Sequence, residues 1–283
     1  MTDGDLAAFD AAWDRFASWL SARCPIDHVA LRSPATAEEI AALETRLGFP
    51  LHPQLRALLE RHNGVIEKPE PDNFHAGAFL PLGHRLNDTE HIIRQHEWLV
   101  HERELIAVGQ GEDDLYGHAH QWVPFAHPND GGTAFVDHRP GPTYGHVYEM
   151  GIGSGADATK WASSLAELFD DLATSLDTGE PFRGSWPNPY ELPSGHFCLS
   201  WDSSTRTKIA SMQDWPPPRR LDSPLRPAAT TGRGLGRRLG ALIPPSAPRS
   251  PSVAAQDFDI PVGPFHTSGV IVNDSENPED TNR

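Results

Sequence analysis

Residues 33–64, SPATAEEIAALETRLGFPLHPQLRALLERHNG, spell out two short helices with their start and stop signals. Thr36 and Glu39 have the spacing of a capping box: the hydroxyl accepts the Glu39 N–H and the carboxylate reaches back. Ile40, Leu43 and Leu47 then recur at helical spacing until Gly48. Pro53 suits the first residue of a second helix, where a missing N–H is harmless, and Leu55, Leu58 and Leu59 supply its apolar face. Asn63-Gly64, residue types that accept a left-handed backbone, should close that helix.

Working outward, Phe9, Trp13, Phe16 and Leu20 place an aromatic face on an upstream helix. Downstream, a polar loop from Glu67 to Asn73 leads to Ala76–Pro81 (AGAFLP), which reads as a short strand. Asp88 can cap a helix reaching about Arg103, with Ile92, Ile93, His96, Leu99 and Val100 on one face. Three strands follow at Gln121–Ala126, Thr133–His138 and His146–Met150, separated by turn chemistry, so they form an antiparallel meander. Ser164 and Glu167 make a second capping box, for a helix to Leu176 whose Leu165, Leu168, Phe169, Leu172 and Leu176 should face the sheet. Helices before and after a meander predict an α+β fold with helices packed on the sheet.

The ordered blocks resemble the SUKH superfamily of fungal cell-wall assembly regulators and bacterial toxin-immunity proteins. The likeness rests on T-x-x-E-I-x-x-L-E-x-x-L-G at 36–48 and L-x-P-x-L-x-x-L-L-x-x-H-N-G at 51–64. It continues through Trp122-Val123-Pro124-Phe125-Ala126, Asn129–Gly132 and Phe135-Val136-Asp137, which look like the family's central hairpin, to Gly179-Glu180-Pro181-Phe182. One departure stands out. Family members often have Leu-Pro before the third helix, whereas here His52 separates Leu51 from Pro53. The resemblance implies a non-catalytic protein-binding module, in bacteria typically an immunity protein, and, by the fungal relatives, a regulatory scaffold as the alternative.

Charge divides the chain. Up to Asp202 there are 13 Lys and Arg against 31 Asp and Glu, a balance of −18; from Ser203 onward the counts are 10 and 8. The sequence therefore predicts one SUKH-like domain at 6–202 and a disordered tail at 203–283, rich in Pro, Ser and Arg, in which Arg233–Leu242 is a basic island. A strongly acidic domain repels nucleic acid and attracts basic partners. No secretory signal or membrane-spanning run is expected, and two cysteines make no disulfide framework, which together point to the cytoplasm.

Fifteen histidines tempt toward an enzyme. His118 and His120 would point the same way on a strand, and with His127, His138 or His146 could bind zinc, giving a metal-hydrolase alternative. No H-E-x-x-H or C-x-x-C accompanies them, so neither a metal nor another cofactor is expected. Gly151–Gly155 fits neither a phosphate loop nor a nucleophile elbow and reads as a flexible connection. The remaining candidates are for partner binding. Asp88, Glu90 and the loop acids Glu112, Asp113 and Asp114 could meet a basic protein, such as a nuclease-type toxin domain. Trp98 falls off the apolar face of its helix and could serve as an anchor.

Overall fold

The computed structural model describes residues 3–66, 75–106, 116–129, 131–151, 158–203 and 215–217. Helix α1 (Asp3–Arg23) is followed by a single turn, α2 (Pro25–His28), then α3 (Ala37–Leu47) and α4 (Pro53–Arg61). Strand β1 (Arg85–Leu86) leads into α5 (Thr89–Ile106). Strands β2 (Trp122–His127), β3 (Gly132–Asp137), β4 (Val147–Gly151) and β5 (Thr159–Ala162) precede α6 (Leu165–Thr178), and β6 (Trp186–Glu191) and β7 (Phe197–Asp202) end the described elements but for residues 215–217. The fold is α+β. Strands β1 to β5 form one antiparallel sheet in sequence order, and β6 pairs with β7 alone.

The caps form where the sequence puts them. Thr36 accepts the Glu39 N–H at 3.1 Å while Glu39 accepts the Thr36 N–H at 2.7 Å, and Gly48 ends α3 at φ +82°. At α6 the box is shifted by one residue: Ser164 accepts the Glu167 N–H, but the Glu167 carboxylate reaches the N–H of Ser163. Helix α4 ends before Asn63-Gly64, because His62 is already extended. The Ala76–Pro81 stretch is not a strand. Residues 75–77 turn, with Gly77 at φ +81°, and Leu80 makes only an isolated bridge to His84.

Period-2 alternation buries the sheet on both faces. Val123, Phe125, Ala134, Val136 and Val147 join the main core with α1, α3, α4 and α6. Trp122, Phe135 and Met150 point the other way and are covered by Leu99 of α5 and Ala119. Trp122 stacks on Phe135 with centroids 4.0 Å apart. The apolar face of α6 meets more than the sheet. Phe169 packs edge-on against Trp13 at 4.7 Å and contacts Phe9 and Phe16, so the aromatic faces of α1 and α6 interlock.

Irregular segments are held by buried polar groups. Asp27 in α2 is fully buried; one carboxylate oxygen accepts the Gly77 N–H at 2.9 Å and the other the Leu199 N–H at 2.7 Å. His52 fills the departure from the family pattern. Its Nδ1 accepts the Gln54 N–H at 3.3 Å, capping α4, and its backbone N–H donates to His138 Nε2 at 2.8 Å. The other His138 nitrogen is then the protonated one and donates to the Val136 carbonyl at 2.9 Å. Both rings are neutral: burial lowers His52 to about 4 and His138 to about 4.

Strand β7 ends at Asp202, but Trp215 beyond it is also part of the main core, edge-on to Trp19 at 4.8 Å. A chain ended after Pro218 keeps that tryptophan. Ending it after Ser203 removes a buried tryptophan and should cost about 3 kcal/mol, seen in urea unfolding. A second expectation concerns pH. Because His52 and His138 lie below their unfolded value of 6.5, the unfolded chain takes up protons that the folded chain refuses. The contribution of these two rings should be complete above that value and decline as pH falls toward about 4, by up to ~1.4 kcal/mol per pH unit per ring. His138→Ala should flatten this decline between pH 6.5 and 4.5. It should also cost about 1–3 kcal/mol at neutral pH, since the His52 N–H loses its acceptor.

Candidate functional site

A cleft of about 730 Å³ opens where three segments meet: residues 31–39 leading into α3, residues 63–66 after α4, and residues 86–94 at the β1–α5 junction. His127 at the end of β2 closes one side. Gly64 makes the meeting possible. At φ +72° its α-carbon lies so close to the next segment that a Cβ would sit 2.4 Å from the Asp88 nitrogen. Backbone bonds fasten the crossing: Arg32 N–H to Gly64 O at 3.0 Å, Asn63 N–H to Ser33 O at 3.0 Å, Val65 N–H to Leu86 O at 3.2 Å and Ile66 N–H to Ala30 O at 2.7 Å.

Side chains complete the walls. Asn63 accepts the Thr89 N–H at 2.9 Å, which fixes its amide orientation and leaves Nδ2 as the donor. Asn87 donates to Gln95 Oε1 and Pro124 O, each at 3.0 Å, and its oxygen pairs with His127 Nδ1. His91 stacks on His127 with centroids 4.1 Å apart and 14° between planes. Burial, and after it the neighbouring His91, Arg85, His84 and Arg94, lower His127 to about 3, so this ring is neutral.

The expected partner-binding residues have different fates. Asp88 is committed to structure: Oδ1 caps α5 through the His91 N–H at 2.7 Å, and Oδ2 pairs with Arg32. Glu90 is open to solvent, with Arg94 one turn on at 3.9 Å. Trp98 is 53% exposed, off the buried face made by Ile92, His96 and Leu99. Glu90, Arg94 and Trp98 follow each other at four-residue spacing, a stripe about 12 Å long that runs from the cleft along α5. Glu112, Asp113 and Asp114 lie outside the described residues, as does most of Gly151–Gly155.

Among the described residues the histidines weighed as zinc ligands do not come together as a ligand set. His118 and His120 lie on a 3-10 turn at Tyr116–Gln121, not on a strand, with rings 6.1 Å apart. Among the described residues no three His, Cys, Asp or Glu side chains stand together as metal ligands would. His96 is buried and pairs with the His120 carbonyl at 3.0 Å. Cys24 and Cys198 are buried free thiols. Among the described residues no helix is long and apolar enough to cross a membrane.

Residues 34–171, which include the capped α3, the proline-started α4, the crossing at Gly64 and the Trp122–Asp137 hairpin, match the SMI1 / KNR4 family (SUKH-1). The chain carries a SUKH domain. The match runs from the cleft wall at Pro34 into the middle of α6, and so includes most of the cleft and all of α5. No curated protein matches the chain significantly. SUKH domains are toxin-immunity or cell-wall-regulator modules, and their work is generally binding without catalysis.

Sequence reading missed Arg32, Asn63, Asn87 and His127 as members of one site, because only the crossing at Gly64 brings them together. The available signal was Asn63-Gly64, whose left-handed glycine serves a close approach, not a helix end. Replacing Gly64 by Ala should destabilise by well over the ~1–2 kcal/mol of a left-handed non-glycine residue. Gly48→Ala, where an added Cβ meets nothing within 4 Å, should cost only that amount. Urea unfolding of the two variants side by side reads the difference.

Proposed function

We propose that this SUKH domain is an immunity protein that neutralises a basic, nuclease-type bacterial toxin without catalysis. The observation that carries the reading is the exposed Trp98, set in a polar helix stripe that leads into the cleft of a SUKH domain. Aromatic side chains at such positions are the residues from which binding hot spots are made. The net balance of −18 up to Asp202 supports a basic partner, because a nuclease that grips phosphates is itself positive and complementary fields speed capture. The same charge argues against nucleic acid as the ligand. Buried free thiols at Cys24 and Cys198 suit the reducing cytoplasm.

In this reading Trp98 anchors the complex, while Glu90 and the acids Glu112, Asp113 and Asp114 steer the encounter. Asp88 contributes by holding Arg32 and the start of α5. Partners isolated from native lysate should be basic, and their association should slow as rising salt shortens the screening length from about 10 Å at 0.1 M. Trp98→Ala should raise the dissociation rate at least tenfold, whereas replacing the loop acids should mainly lower the association rate. An acidic or neutral partner, or association indifferent to salt, would overturn this reading in favour of a regulatory scaffold.

A further inference from the structure

The cleft is a local exception to the charge of the domain. Its two carboxylates are turned to groups of their own wall: Glu39 to the Thr36 N–H, Asp88 to the His91 N–H and Arg32. Hydrogen-bond donors remain in excess. Arg32 keeps a half-exposed guanidinium with one nitrogen committed to Asp88. The Arg94 side chain is 62% exposed, and its pair with Glu90, itself 85% exposed, is an open i,i+4 contact. Asn63 contributes Nδ2. Beside these donors lie Leu31, Val65 and Leu86, with Ile66 47% exposed at the rim.

We propose that this cleft binds a carboxylate side chain of the partner protein, with an apolar neighbour of that residue seated on the Leu31–Val65–Ile66 wall. A guanidinium fork matches a carboxylate in plane and charge, and Asn63 Nδ2 adds a neutral donor. The apolar wall distinguishes a protein segment from a free oxyanion, which has nothing to place there. This inference rests on the protein-binding reading and refines it: the acidic surface and Trp98 capture a basic partner, and the cleft selects among basic proteins by requiring one acidic residue at a set position. Selection by an unlike charge inside a like-charged field is a source of specificity, because a partner lacking the acid covers the remaining Arg32 and Arg94 N–H groups, beyond those turned to Asp88 and Glu90, without giving them a new acceptor.

The test uses the full chain and needs no partner. The probe is N-acetyl-leucyl-glutamic acid amide, whose one carboxylate is the glutamate side chain, followed by NMR of the Asn63, His91 and Arg94 backbone amides. Saturable shifts with a millimolar Kd are expected, as befits so small a ligand. The glutamine analogue should bind at least tenfold more weakly. Arg94→Ala should weaken the peptide about tenfold, and Trp98→Ala should leave it unchanged. Absence of shifts at these residues, or equal binding of the glutamine analogue, overturns the proposal. Inorganic phosphate binding as tightly as the peptide overturns the assignment to a protein segment. Loss of the basic-partner reading would leave these peptide results as they are, so the two failures are distinguishable.

Discussion

The close approach of Gly64 to the Asn87–Asp88 peptide is the constraint on which the cleft and the placement of α5 depend. A side chain at 64 would collide with backbone atoms, which cannot move aside as a flexible side chain could. Given the glycine, residues 30–36, 62–66 and 85–89 lie together, and the Leu86 carbonyl at the end of β1 accepts the Val65 N–H from the segment that follows α4. The start of α5 is then set by two contacts from outside the helix, Asn63 on the Thr89 N–H and Arg32 on Asp88. The orientation of α5, and with it Arg94 and Trp98, follows from that crossing.

Elsewhere the same problem, how to hold irregular backbone inside a small core, is solved with single buried polar side chains. Asp27 joins the turn at Gly77 to β7, and Asp137 is forked by Arg139 through Nε at 2.9 Å and Nη2 at 2.7 Å at the end of β3. His52 and His138 tie the start of α4 to the sheet. Each such group is expensive to orphan, at about 1–3 kcal/mol, so each fixes its segment more firmly than apolar packing alone would. The interlocked faces of α1 and α6 supply non-directional burial, and these groups supply the addresses.

What was legible in the sequence was local. The α3 capping box, the Pro53 start and the Phe9–Leu20 stripe are all decided within a turn or two of helix, and they appear as read. The meander strands were visible because turns bracket them. Where distant partners decide, reading failed. Ala76–Pro81 has strand composition, but the carboxylate of Asp27 and the left-handed Gly77 make it a turn. Strand β5 is only four residues long, and β6 carries two prolines that argue against a strand. The cleft was invisible for the same reason, since its residues span Leu31 to His127 and none announces its neighbours. Of the site, the exposure of Trp98 and the capping role of Asp88 could be read, because each follows from position on one helix.

The hairpin of β6 and β7 stands apart from the main sheet and so has two edges to account for. Leu192 N–H bonds to the His196 carbonyl, and alternation from that pair turns Pro187, Pro189 and Glu191 away from β7. Two of the three outward positions thus lack an N–H altogether, and the third bears a charge. On the opposite side, the outward N–H of Leu199 is already taken by Asp27. Neither border offers the unbroken row of donors and acceptors that a foreign strand would need to zip onto the molecule. The prolines of β6 and the carboxylate of Asp27 thus guard this hairpin against pairing with another strand through its backbone.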